Sequence, residues 1–211
     1  MYILIIGSNG RLGKILLKIF PESTKIDIEN SNYLESELQK ADFAFLATPM
    51  DATINIIRRF PEYDGFIDLT SVKSKMIEFA GKIISLHPLF GPETYGTNKS
   101  IIFINDISRK DSLADMEKLF QDYKLIIMDA NSHDALMGEI LVKPYVLSYI
   151  SKSENSSIIT GSYSKFLEIE KIKYNENSQV LIDTIKYNEN SSKIIKDIEK
   201  RLEGLKKLVG N

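Results

Sequence analysis

Hydrophobic and polar positions change their period once along the chain, near residue 130. Before that point, apolar runs of strand length alternate with stretches in which apolar residues recur at helical spacing. That alternation produces a mostly parallel sheet with helices on its faces. The pattern predicts strands over 2–6, 25–28, 43–47, 65–69, 82–86, 101–105 and 125–128, with helices over 11–20, 33–40, 51–60, 74–80 and 112–123. Turn chemistry falls between them, notably at Thr48-Pro49 and at Pro61 to Gly65.

Beyond residue 130 the strand pattern stops. Helical spacing continues over 133–151, 157–174, 178–187 and 191–209, punctuated by Asn and Ser clusters. The expected organisation is α/β: a Rossmann-type domain over 1–130 and an all-helical domain over 131–211. In the last helix Ile195, Ile198, Leu202, Leu205 and Val209 fall at heptad-like spacing, a stripe for packing within the chain or against a twin helix. The heptapeptide Ile172 to Ser178 recurs as Ile185 to Ser191, which reads as one helix stop and restart used twice, with Asn177 and Asn190 as N-caps.

Composition narrows the functional classes. With 211 residues, 43% of them hydrophobic, the chain has enough apolar mass for a folded core. A net charge of -2, from 27 basic and 29 acidic residues, gives no cationic footprint for nucleic acid or an anionic membrane. No apolar run approaches the roughly 18 residues needed to cross a bilayer, and neither end of the first strand carries a signal-peptide pattern. With no cysteine and two histidines, there is no thiolate nucleophile and a poor ligand set for a metal. The expected location is the cytoplasm, where thiols stay reduced and disulfides are not needed.

The first strand runs into Gly7-Ser8-Asn9-Gly10-Arg11-Leu12-Gly13 and then into a helix. Glycines there permit a tight turn, allow close approach of backbone to a pyrophosphate, and let helix and strand pack tightly, while the helix N-terminus favours an anion. The spacing is G-x-x-G-x-x-G, one residue longer between the first two glycines than the usual fingerprint. The second strand ends near Asp27-Ile28-Glu29, where an acid holds the adenosine ribose; Glu29 is the first candidate and Asp27 the second. No arginine follows to receive a 2′-phosphate, which favours NAD over NADP. Thr48 and Pro49, at the end of the third strand, are candidates to line the cofactor as backbone.

Asp68-Leu69-Thr70-Ser71-Val72-Lys73 closes the fourth strand and His87-Pro88 the next. In a parallel sheet both lie at the carboxyl edge, where ligands of open α/β sheets bind. His87 titrates nearest working pH and suits proton transfer. Ser71, Lys73 and His87 can converge there on one substrate.

The glycine loop, Thr48-Pro49, Asp68 to Lys73, His87-Pro88-Leu89-Phe90-Gly91-Pro92-Glu93 and Ser132-His133-Asp134 occur in the order seen in prephenate dehydrogenase, and on these motifs the chain from Gly7 to at least Tyr145 resembles that family. The resemblance implies NAD-dependent oxidative decarboxylation of prephenate to 4-hydroxyphenylpyruvate in tyrosine biosynthesis. It implies His87 as proton acceptor, Ser71 as its hydroxyl partner at the nicotinamide, and a homodimer formed through the helical domain. His133 is expected as a cap or hinge. A family histidine that reaches substrate aligns with Tyr145, about three helical turns beyond His133. A family arginine has no counterpart between Ala130 and Lys200; Lys171 and Lys173 flank its place, and Lys73 is the other candidate for a substrate carboxylate. Arogenate dehydrogenase, and a non-catalytic dinucleotide-binding relative, are the alternatives.

Overall fold

The computed structural model describes residues 1–154 and 156–210. The chain forms two compact units, Met1–Ala130 and the residues from Asn131 onward.

The first unit is built on a seven-stranded sheet of order β2-β1-β3-β4-β5-β6-β7. Its strands are β1 (Ile3–Ile6), β2 (Thr24–Ile26), β3 (Phe43–Leu46), β4 (Phe66–Asp68), β5 (Ile84–Pro88), β6 (Ser100–Ile104) and β7 (Lys124–Met128). Every pairing is parallel except β5 with β6. Helices α1 (Arg11–Ile19), α2 (Leu34–Leu38), α3 (Met50–Arg59) and α4 (Ser112–Leu119) connect them. This is the Rossmann-type, mostly parallel sheet that the alternating pattern predicts.

Strand periodicity sorts the side chains. Ile3, Ile5, Phe43, Phe45, Ile67, Leu69, Ile84, Leu86, Ile101 and Phe103 share one core with Ile15 and Leu16 of α1 and with Met116 and Phe120 at the end of α4. Phe20 stacks on Phe45 at 5.1 Å and meets Phe120 edge-on. By the same period Asp68, Ser85 and His87 project from the opposite face. They sit on strands that are buried throughout.

Some elements differ from the sequence pattern. Residues 74–79 form a 3-10 segment rather than an α-helix, and a second 3-10 segment, Ile28–Tyr33, begins where the second strand was expected to continue. Asp27 ends that strand early: its side chain accepts from the Ile28 N–H while its own N–H donates to Asn30, a reciprocal cap.

The second unit contains α6 (Lys143–Ile150), α7 (Gly161–Asn175), α8 (Ser178–Tyr187) and α9 (Ser191–Leu208), preceded by α5 (Ala130–Met137). The helix predicted over 133–151 is α5 and α6 joined by a π-turn, Gly138–Val142. Pro144 accounts for the widened turn, because it lacks an N–H and its ring crowds the turn before it. Helix α7 starts at Gly161 rather than 157, since Thr160 caps it by accepting from the Tyr163 N–H. Val142, Val146 and Ile194 form a small core, with Ile185 and Ile198 against it. Asn177 caps α8 as expected, accepting from Gln179 and Val180. Asn190 does not cap α9 with its side chain. Among the described residues no helix is long and apolar enough to cross a membrane.

Candidate active site

Three strand ends lie in one row. The register Ile6↔Leu46 and Leu46↔Asp68 aligns the carboxyl ends of β1, β3 and β4, while Asp68↔Ser85 meets β5 near its start, so β5 runs on past the row to His87 and Pro88. Three strand-to-strand steps separate the glycine turn after β1 from His87 on β5, or about 14 Å along the edge at the usual spacing.

At the β1 end the loop is shaped by contacts that only glycine allows. Gly7 has φ +84°, and a Cβ there would stand 2.4 Å from the Ala47 carbonyl oxygen; at Gly13 it would stand 2.2 Å from the Gly7 carbonyl oxygen. Both are closer than any real side chain tolerates, so β1, β3 and α1 approach at backbone distance. The Gly7 and Ser8 N–H groups donate to the Ile26 carbonyl, at 2.9 and 3.2 Å, and tie the turn to β2. Gly10 is the N-cap of α1 with no side-chain cap, and the first turn carries no acidic residue. Such an N-terminus favours an anion. Ser8 is buried and Asn9 exposed; Leu12 packs its side chain into the core, leaving only its backbone toward the turn. Arg11, half-buried, opens the helix.

Both candidate acids reach this loop. Asp27 accepts from the Asn9 N–H at 2.7 Å, and Glu29 accepts from the Asn9 side-chain amide at 3.2 Å. Asp27 is thus part of the loop's own scaffold and Glu29 the more exposed of the two. On β3's end, Thr48 shares a 2.8 Å hydrogen bond with Thr53, and exposed Pro49 starts α3.

At the other end of the row stand Ser71 and His87. His87 lies within β5 rather than after it, 8% exposed, opposite Ile102 of β6. Ser71 is half-buried in the loop that leaves β4. Residues 89–99 connect antiparallel β5 and β6, and the connection closes on itself: the Leu89 N–H donates to the Ser100 carbonyl and the Asn98 amide to the Leu89 carbonyl.

Lys73 is placed otherwise than expected. It is fully buried, and its ammonium donates to the Asp68 carboxylate and to the Leu86 carbonyl, each at 2.7 Å. A cation held this way belongs to the scaffold under the site, which corrects its assignment to a substrate carboxylate. Asp68 and Ser85 were not singled out from the sequence, although each is a polar residue inside an apolar run, the pattern that marks a buried polar network.

Candidates from the helical unit have their own surroundings. Tyr145 is 6% exposed and its hydroxyl donates to Glu176 at 3.1 Å. The Lys173 ammonium donates to the Ser151 carbonyl and pairs with Glu170 at 3.3 Å, while Lys171 is exposed. Hydrogen bonding from Ser153 holds the Glu170 carboxyl below its ordinary value, against the opposing effect of burial. His133 is fully buried, its Nδ1 at 2.8 Å from Asp134, which fits a structural residue.

Residues 22–105 match the family model described as prephenate dehydrogenase, nucleotide-binding domain. The T-protein of Haemophilus influenzae is 31% identical over 113 residues, covering 47% of this chain and 30% of that protein. The prephenate dehydrogenase of Lactococcus lactis subsp. cremoris is 25% identical over 177 residues, covering 68% of this chain and 49% of that enzyme. The matches point to the prephenate dehydrogenase family. The chain therefore spans less than half the length of these curated relatives of the family. In fold, it matches the A. aeolicus prephenate dehydrogenase solved with hydroxyphenyl propionate and NAD+ at a TM-score of 0.70, with 18% identity, covering 99% of this chain and 91% of that one. It matches a Synechocystis arogenate dehydrogenase at 0.68, with 17% identity, covering 100% and 92%. The family model begins after the glycine loop, so the loop's reading rests on its own geometry.

Proposed function

We propose that the chain is an NAD-dependent dehydrogenase that oxidatively decarboxylates prephenate to 4-hydroxyphenylpyruvate, acting in the cytoplasm within tyrosine biosynthesis. The observation that carries the proposal is the aligned carboxyl ends of β1, β3 and β4, with a glycine cradle at β1 and a buried imidazole on β5, two residues beyond its last rung with β4. Gly7, Ser8, Asn9 and Gly10 shape the turn, their N–H groups bonded to Ile26, Asp27 and Gly7, and Arg11, Leu12 and Gly13 present the N-terminus of α1 to the pyrophosphate; Glu29 holds the adenosine ribose, and Thr48, Pro49 and Ser71 line the remainder of the cofactor. Two carboxylates at Asn9 support NAD, because they repel a 2′-phosphate. When bound, NAD+ supplies the acceptor for the hydride that leaves the ring carbon bearing the hydroxyl.

His87 accepts the proton of that hydroxyl, so the carbon becomes a carbonyl as it is oxidised. The ring carboxylate then leaves as carbon dioxide, its bonding electrons make the ring aromatic, and the proton returns from His87 to the oxygen. Ser71 orients the imidazole. Lys171 meets a substrate carboxylate as a point charge; Tyr145 can donate to substrate only by giving up its bond to Glu176. Two copies pair through α9, whose Leu202 and Leu205 are 47% and 57% exposed, with Val209 just after the helix 74% exposed.

The test is NADH absorbance with purified protein, NAD+ and prephenate, with arogenate and NADP+ as parallel arms. His87→Asn is expected to lower kcat by about 10²- to 10⁴-fold, the usual share of a proton-transfer group. Full turnover in that variant removes His87 from the mechanism. Turnover with arogenate alone replaces the substrate. Dinucleotide binding without turnover of either acid leaves a binding protein.

A further inference from the structure

The parallel ladder between β4 and β5 stops at Asp68↔Ser85, although β5 runs on to Pro88. Pro88 has no N–H and ends the ladder from its side. Continuing the register by one rung would join the Thr70 N–H to the Leu86 carbonyl. Neither group makes that bond. The Thr70 N–H donates instead to Asp68 Oδ1 at 2.8 Å, and the Leu86 carbonyl accepts from Lys73 Nζ at 2.7 Å.

The two side chains close the gap by bonding to each other, Lys73 Nζ to Asp68 Oδ2 at 2.7 Å, and both are fully buried. Ser85 donates to the same carboxylate oxygen at 2.8 Å. The Thr70 hydroxyl lies at 2.7 Å from Asp68 and 3.1 Å from the Val72 carbonyl. Ser71 thus sits between two clamped neighbours, and His87 directly follows the clamped Leu86 carbonyl.

Desolvating two charges costs several kcal/mol each, so a buried pair is a poor device for stability alone. We propose that the Asp68–Lys73 pair is a positioning device that stands in for a missing ladder rung and sets where Ser71 and His87 stand relative to one another. The proposal rests on the reading of Ser71 and His87 given above. Asp68, Lys73 and Ser85 touch neither substrate nor cofactor; they act through the backbone on either side of the residues that do.

The double variant Asp68→Asn/Lys73→Met removes both charges together, avoiding an unpaired buried ion. It is expected to bind NAD+ as the parent does, with an unchanged KM for the dinucleotide and a kcat lower by about 10- to 100-fold, as for a small misplacement of reacting groups. The chain has two histidines, so nuclear magnetic resonance resolves the His87 ring directly, with His87→Asn for assignment. The His87 ring signals should move while those of His133 stay. A folded double variant with parental kcat, or with parental His87 signals, overturns the proposal. If the double variant does not fold, Ser85→Ala decides: displaced His87 signals support the pair's role and unmoved ones end it. If the parent turns over neither prephenate nor arogenate, the functional reading fails, and the His87 signals of these variants still decide this one.

Discussion

Among its lysine–carboxylate pairs, each unit of the chain has one whose carboxylate is buried, and these two do different work. Lys73–Asp68 is wholly buried and joins neighbouring strands, whereas Lys173–Glu170 is one helical turn apart on α7 with the lysine 18% exposed. The first fixes backbone on either side of the candidate catalytic residues. The second fastens the residues after α6 to α7, through the Ser151 carbonyl and the Ser153 N–H. A charge in a sheet interior must be matched at every contact or it is costly. On the α7 flank only the lysine end reaches water, since Glu170 is itself buried, and it is the exposed end whose partner can change with little consequence. The Lys73 cation is therefore rigidly placed, and Lys173 is the more adaptable of the two.

The largest test of this contrast removes one lysine at a time. Lys73→Met leaves the Asp68 carboxylate buried without its cation and should cost about 3–5 kcal/mol, read as a fall in thermal midpoint. Lys173→Met should shift the midpoint far less, since Glu170 keeps its hydrogen bond from Ser153. Equal losses would mean that the helical pair is as deeply committed as the sheet pair, and would break the comparison.

The same physical difference explains what the sequence discloses. The cradle and the strand tips are written in residue types with few substitutes: glycine where a Cβ would strike Ala47 or Gly7, and a histidine and proline at the end of β5. Period-2 alternation likewise places Ile3, Ile5, Phe43 and Phe45 on one face. Lys73 was misread because its partners come from pairing: the Leu86 carbonyl is thirteen residues away and enters reach only when β4 and β5 lie side by side. The break at Gly138–Val142 was invisible because helical periodicity survives a π-turn with a one-residue slip. Lys171 and Lys173 carry no such signature, since exposed or flank positions accept many residues, and Tyr145 is buried against a partner, Glu176, thirty-one residues away.

Helix α9 contains the contrast within one element. Ile194 is 9% exposed and belongs to the small core with Val142 and Val146, while Leu205, three turns on, is 57% exposed. Ile194→Ala should cost about 2 kcal/mol, at the low end for buried aliphatics because the cluster is small. Leu205→Glu should leave the thermal midpoint at low protein concentration unchanged and convert a dimer to a monomer in light scattering. A parent that is monomeric at all concentrations would remove the proposed pairing of α9 and leave the exposed stripe as surface.

The smallest effects come from the repeated heptapeptide, where identical residues have been given different tasks. In the first copy Asn177 caps α8 by accepting from two N–H groups, and Asn175 is exposed at the end of α7. In the second copy the roles fall one place differently. Asn188, 3% exposed, donates to the Asp134 carbonyl at 2.8 Å and accepts from the Asn190 N–H at 2.9 Å, tying the start of α9 to α5. Asn190 lies beside Gly138 through its Cβ, which alanine would keep. Asn188→Ala should therefore cost about 1–2 kcal/mol for the buried groups left unpaired, and Asn177→Ala about 1 kcal/mol as a lost cap. Asn190→Ala and Asn175→Ala should each stay within about 0.5 kcal/mol of the parent. Urea denaturation of the four variants checks the order. Matching values at equivalent positions of the two copies would show that local sequence, and not the neighbour each copy meets, sets its contribution.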